Sequence, residues 1–352
     1  MPKEIKHLAI IRLSAMGDVA MTVPVIRAFA KQYPKVRITF ISRPFFKPFF
    51  EGIPNLTFFE FDALNRHKGL PGLIRLFLDL KQLKVDAFAD LHNVLRSKTI
   101  RLFFALSGKT IAHTDKGRAE KKALTRPEKK VFVPLQSMVE RHIDTFKKLG
   151  FDVDLSQPIF PKKPILNPRI LDIIGEKQET IDAKLIGIAP FAQYESKMYP
   201  LDLMQKVINR LAENNEYKIL LFGGGKKEIT ILEGFAQGKK NVITIAGKIQ
   251  LQEELQLISH LDVMLAMDSG NSHIAAMLGV KVITLWGATH PFTGFAPFNQ
   301  PLENALVSDR NQFPKLPTSV YGNKKVEGYQ DAMRTIPVTV IEEKVKIILE
   351  EL

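Results

Sequence analysis

Two α/β domains, each built on a doubly wound parallel sheet, are the fold predicted by this sequence of 352 residues. Three observations lead there. Short, near-continuous apolar runs recur at βα spacing, a proline-rich stretch at 157–164 interrupts them midway, and the charge balance changes at that point. The expected division is a first domain over 1–160, a second over 161–335 and a closing helix over 336–352.

Residues 7–13 read as the first strand, because an apolar run without alternation suits a strand covered on both faces. Residues 19–33 follow as a helix and 37–41 as a second strand, so the chain opens on one βαβ unit. Runs at 87–91 and 110–112 continue the sheet. Beyond the proline-rich break, the runs at 185–189, 218–222, 242–245, 263–267 and 280–285 repeat the pattern, and 340–352 reads as a last helix. Parallel sheets take ligands beyond the carboxyl ends of their strands, so the loops there are where chemistry is sought. Two such domains facing one another make a central cleft.

Composition removes several classes. With 45% hydrophobic and 25% charged residues the chain is neither disordered nor fibrous, and no apolar stretch approaches the roughly 20 residues of a membrane helix. The N-terminus runs straight into a strand without a signal-peptide layout, and a cytoplasmic location is the expectation. The absence of cysteine excludes disulfides, thiolate zinc sites and cysteine nucleophiles. Residues 1–160 hold 28 Lys/Arg against 15 Asp/Glu, whereas 161–352 hold 22 of each, so the whole net charge of +13 lies in the first part. That asymmetry points to an anionic partner: nucleic acid, a membrane surface or a phosphorylated molecule.

Four strand-end loops carry polar chemistry. In Ser14-Ala15-Met16-Gly17-Asp18 the glycine permits a tight turn; Asp18 is either a cap on the following helix or a general base. The loop is neither the dinucleotide glycine fingerprint nor a P-loop. Asp268-Ser269-Gly270-Asn271-Ser272-His273 opens a helix of small residues, where free N–H groups and the helix dipole favour phosphate; His273 is either a donor to that anion or a structural histidine. Lys197 lies in the loop after residue 189, as a solvated charge or a diphosphate contact. Gly223-Gly224-Gly225 allows close backbone approach, and Glu228 suits a ribose diol.

Together these loops resemble glycosyltransferase family 9, the heptosyltransferases of the lipopolysaccharide inner core. The resemblance runs through Arg12 to Val19 with Pro24, Asp90-Leu91-His92-Asn93 with Arg96-Ser97, Lys197-Met198-Tyr199-Pro200, Gly223-Gly224 with Glu228, Asp268-Ser269-Gly270 with His273-Ile274-Ala275-Ala276, and Gly287 to Pro291. It implies a GT-B architecture of two Rossmann-like domains, acceptor-binding then nucleotide-sugar-binding. It further implies metal-independent, inverting transfer from ADP-heptose to a Kdo-lipid A type acceptor, with no cofactor. On the same resemblance, Asp18 falls on the catalytic base and Lys197 on the diphosphate-contacting lysine. Donor contacts fall on Ser14, Gly17, Gln193, Glu228, Asp268, Ser269, Gly270 and His273. The chain departs from the family pattern at Tyr199, where tryptophan is common, at Ala192-Gln193 and Asn271-Ser272, and in having no cysteine between 315 and 333.

For the acceptor, His92, Asn93, Arg96, Lys121, Lys122, Arg141 and His142 are the candidates to meet phosphates and carboxylates of an anionic glycolipid at the inner membrane surface. The basic stretch 116–130 also reads as an ordinary solvated loop. Phe45, Phe46, Phe49 and Phe50 read as helix core or as a membrane-dipping edge. A nucleic-acid-binding protein lacks support because no helix-turn-helix, zinc spacing or aromatic RNA motif is present, and a nicotinamide dehydrogenase because the glycine fingerprint is missing. A transferase with another sugar donor or acceptor, and a non-catalytic sugar-nucleotide binder, are the remaining alternatives.

Overall fold

The computed structural model describes residues 4–176 and 183–351. The chain forms two compact units. The first comprises Met1–Gly117 and Gln136–Phe160; the second comprises Arg118–Leu135 and Pro161–Leu352.

The first unit holds a parallel sheet of β1 (His7–Ile11), β2 (Arg37–Ser42), β3 (Leu56–Glu60), β4 (Ala87–Asp90) and β5 (Thr110–His113), in the order β3-β2-β1-β4-β5. Every residue of β1 and β4 is buried, as suits central strands covered on both faces, and each is apolar apart from one end residue, His7 and Asp90. The chain winds outward from β1 through β2 to β3, then crosses back to β4 and β5. The topological switch point therefore lies between β1 and β4.

The second unit repeats the design with β6 (Lys184–Ala189), β7 (Tyr217–Leu221), β8 (Val242–Thr244), β9 (Val263–Met267), β10 (Lys281–Trp286) and β11 (Ala305–Val307), in the order β11-β10-β9-β6-β7-β8. Its switch point lies between β6 and β9. The helix Val338–Glu350 buries Ile341, Val345, Ile348 and Leu349 against Met204, Val207 and Leu211, so the last segment is part of this unit's core.

The structure adds β3 and β11 to the strands read from sequence. Both are edge strands; β3 has no buried residue, and β11 is only three residues long. The expected helix over 19–33 is two helices, Met16–Ala20 and Val23–Gln32, with Pro24 at the start of the second, where its missing N–H is not needed. Phe45–Phe50 belongs to a 3₁₀ turn, Pro44–Phe50, in which Phe46, Phe49 and Phe50 are buried and Phe45 is 56% exposed.

The domain division also differs from expectation. Arg118–Leu135 groups with the second unit: Lys130 Nζ donates to Pro317 O at 2.7 Å, Leu135 N donates to Phe292 O at 3.0 Å, and the Arg310 guanidinium lies 3.4 Å from the Phe132 ring centre. Transferring this basic segment divides the charge anew. The first unit has 22 basic and 13 acidic residues, the second 28 and 24. The excess is +9 in one and +4 in the other, and is not confined to the first.

Candidate active site

In the first unit, the switch point is organised by Arg12, which directly follows β1. Its side chain is buried, with Nε donating to Ser14 O at 2.9 Å and Nη1 to Leu91 O, beyond β4, at 2.7 Å. The remaining Nη2 meets Asp18 Oδ2 at 2.6 Å, an oxygen that also accepts the Ala15 N–H at 3.2 Å. Asp18 sits in the first turn of its short helix with its side chain 29% exposed. Sequence reading quoted Arg12 only as part of a motif. Its function was not legible there, because the bond to Leu91 O spans 79 residues.

His92 lies beside this pair, 9% exposed, and its Nδ1 is buried with no hydrogen-bond partner among the described residues. Burial, reinforced by the charges of Arg12, Lys116 and Arg43 and opposed by Asp18, lowers its pKa to about 3. It is therefore neutral at physiological pH. A pocket of about 370 Å³ is lined by Leu13, Ser14, Arg43, His92, Val94 and Arg96. Arg43 and Arg96 are both exposed on it, and Arg43 is a residue that sequence reading missed.

Asn93 has a different task. Its backbone takes φ of 46°, its N–H donates to Asp90 Oδ1 at 2.7 Å and its Nδ2 to Thr114 O at 2.9 Å, so it shapes the loop after β4. Three other expected acceptor contacts are packing residues. His142 is fully buried with Nδ1 3.2 Å from Thr114 Oγ1, and Arg141 is buried, donating from Nε to Gln136 O at 3.2 Å. Lys121 is buried with Nζ 4.1 Å from the Phe295 ring centre, leaving Lys122 as the exposed lysine of that pair. Lys121 and Lys122 both belong to the second unit.

In the second unit, Lys197 ends the 3₁₀ turn Glu195–Lys197 after β6, and Asp268 directly follows β9. Lys197 Nζ and Asp268 Oδ2 are 2.9 Å apart across the switch point, with side chains only 13% and 8% exposed. A carboxylate does not attract a diphosphate, and what the structure shows of Asp268 is its pairing with Lys197. Ser269 is the N-cap of the helix Gly270–Met277 but gives its hydroxyl to no cap bond; that Oγ is buried without a partner among the described residues. His273 is buried in the same helix. A lysine, an uncommitted hydroxyl and the positive end of a helix are groups from which an anion site can be built.

Glu228 Oε2 accepts the Gly224 N–H at 2.8 Å, which fixes the carboxylate beside the glycine loop. Gln193 is exposed, and Ser14 and Gly17 belong to the first unit rather than to this one. Tyr199 is fully buried and donates to Ile336 O at 2.7 Å; burial raises its hydroxyl to about 12. The departure from the family's tryptophan is thus a core substitution. Among the described residues, no group of three or more His, Asp or Glu is placed to hold a metal ion.

Residues 73–325 match the family model of glycosyltransferase family 9 (heptosyltransferase). The chain belongs to glycosyltransferase family 9. It is 27% identical to the lipopolysaccharide core heptosyltransferase OpsX of Haemophilus influenzae, over 86% of this chain and 84% of that protein. With lipopolysaccharide heptosyltransferase 2 of Escherichia coli the identity is 24% over 98% of this chain and 99% of the relative. A glycosyl transferase family 9 structure from Veillonella parvula superposes with a TM-score of 0.76 at 19% identity, covering 99% of each chain. The two parallel-sheet units are those of the GT-B fold. As a family 9 member the chain is a glycosyltransferase of the heptosyltransferase family, and both curated relatives are named as lipopolysaccharide heptosyltransferases. No helix among the described residues is long and apolar enough to cross a membrane.

Proposed function

We propose that the chain transfers heptose from ADP-heptose to an inner-core, Kdo-lipid A type acceptor, with inversion at the anomeric carbon and without a metal ion. The observation that carries this reading is the Lys197–Asp268 pair beside the partnerless Ser269 hydroxyl, a fixed cation at a helix N-terminus.

In this scheme the acceptor oxygen forms a bond to the anomeric carbon as the bond from that carbon to the diphosphate oxygen breaks. Asp18 takes the hydroxyl proton, and the bonding pair leaves with ADP. Charge growing on the diphosphate is met by Lys197, the Ser269 hydroxyl and the first N–H groups of the helix. Glu228 holds the ribose. Arg12 keeps Asp18 in place. The acceptor's anionic groups meet Arg43 and Arg96 around the His92 pocket, and its lipid portion stays in the cytoplasmic face of the inner membrane, where the enzyme works as a peripheral protein.

The test is a donor screen on Kdo-lipid A, with products followed by intact mass, with and without EDTA. Transfer from ADP-heptose that survives EDTA, giving a product of inverted anomeric configuration, is expected. Preference for another nucleotide sugar, or strict dependence on added Mg²⁺ or Mn²⁺, would replace the proposal.

A further inference from the structure

The stem of Lys197 lies against a turn that is more than a hundred residues away in sequence. Residues 318–322 hang from the loop after β10: Thr318 and Ser319 donate their N–H groups to Ala288 O at 2.9 and 3.1 Å. Ala288 N in turn donates to Ser196 O at 2.9 Å. The Ser196 hydroxyl closes the circuit by donating to Gly322 O at 2.6 Å. Inside the turn, Ser319 Oγ accepts the Gly322 N–H at 2.9 Å and donates to Asn323 Oδ1 at 3.0 Å.

Gly322 faces the lysine directly. A Cβ at this position would lie 2.5 Å from Lys197 Cγ, closer still to Cδ, and 3.3 Å from Ser196 Oγ. Its φ of +82° also suits glycine. The backbone of the turn therefore occupies the space into which the four-carbon stem of Lys197 would otherwise swing. A free lysine samples many rotamers; one whose stem abuts this turn and whose ammonium pairs with Asp268 keeps that ammonium at one place before any ligand arrives.

We infer that Gly322 and Ser196 are positioning residues: they press the Lys197 stem toward Asp268 and so hold its ammonium where the leaving diphosphate needs it. This inference rests on the reading of Lys197 as the diphosphate-contacting charge.

The experiment is a double-mutant cycle with ADP affinity by calorimetry and turnover of the full chain as readouts. In the native background, Gly322→Ala and Ser196→Ala each weaken ADP binding and lower turnover by roughly tenfold, because a charge displaced by a fraction of an ångström loses much of its effect. In the Lys197→Ala background there is no stem to displace, and each changes ADP affinity by less than about twofold. Strain of alanine at positive φ affects folding in both backgrounds and cancels from the comparison; Ser196→Ala carries no such strain. Equal losses in both backgrounds would make Gly322 and Ser196 fold-maintaining residues and overturn the inference. Unchanged ADP affinity of both single variants would do the same. A Lys197→Ala protein with native affinity and turnover would overturn the reading of Lys197 itself, and the inference with it.

Discussion

Lys197 Nζ lies 2.9 Å from Asp268 Oδ2, joining the loops that leave β6 and β9 where the strand order reverses. The first unit has the corresponding arrangement: Arg12, after β1, reaches Leu91 O beyond β4 and meets Asp18 at 2.6 Å. In each unit a buried cation and a carboxylate stand at the switch point of a parallel sheet. The cation is the more exposed partner in the second unit, 13% against 8%, and the carboxylate in the first, 29% against 5%.

For the second unit, Lys197→Ala should lower turnover by roughly 10²–10³, the effect of losing one donor aimed at developing charge, worth about 2.7–4 kcal/mol. Asp268→Asn should weaken ADP binding through loss of lysine orientation and also lower stability by about 3 kcal/mol, because it leaves a buried ammonium unpaired. Calorimetric ADP affinity and thermal midpoints separate the two effects. Native turnover in Lys197→Ala would remove the lysine from the mechanism.

For the first unit, Asp18→Ala should reduce turnover by about 10²–10⁴, the range of a general base, while ADP affinity stays native. Arg12→Met should impair turnover without touching ADP affinity and destabilise the fold by about 2 kcal/mol through loss of a charge-assisted hydrogen bond. If Asp18→Ala kept near-native kcat with a verified acceptor, Asp18 would be a helix cap and nothing more.

His92 sets a pH dependence of stability. Its pKa is about 3 in the folded chain against 6.5 when unfolded, so between those values the unfolded chain binds a proton that the folded chain does not. Stability present above pH 6.5 is therefore lost as the pH falls toward 3, by on the order of 3 kcal/mol at pH 4. Replacing the ring by His92→Gln removes this titration. Denaturation midpoints of wild type and variant should converge, or cross in favour of the variant, between about pH 7 and pH 4. A constant difference across that range would show that His92 is not buried in its neutral form.

The arginines of the His92 pocket should report on the acceptor alone. Arg43→Ala and Arg96→Ala are each expected to raise acceptor KM by roughly tenfold, the value of one charge-assisted hydrogen bond, with donor KM unchanged. Lys121→Glu should instead lower the thermal midpoint, since its ammonium is buried against the Phe295 ring. Equal effects of the arginine changes on both substrates would exclude a docking role for this pocket.

The central strands and the loops that follow them were legible because a strand covered on both faces must be apolar throughout, and because glycine, aspartate and lysine clusters between such runs have few structural uses. Local sequence thus determined the α/β class, the positions of Asp18, Lys197, Glu228 and Asp268 at strand ends, and the overall positive charge. The edge strands β3 and β11 were hidden, since β3 has no buried residue and β11 is only three residues long. Only the tertiary structure decided which strands are neighbours, and with that the two switch points. Contacts closed over long separations in sequence then fixed the rest. They place Arg12 on Leu91 and Asp18, and Gly322 against Lys197, and they withdraw His142, Arg141 and Lys121 into packing. A residue's type shows what chemistry it carries, but whether that chemistry meets a ligand or is spent inside the fold depends on which distant backbone group or ring the fold brings beside it.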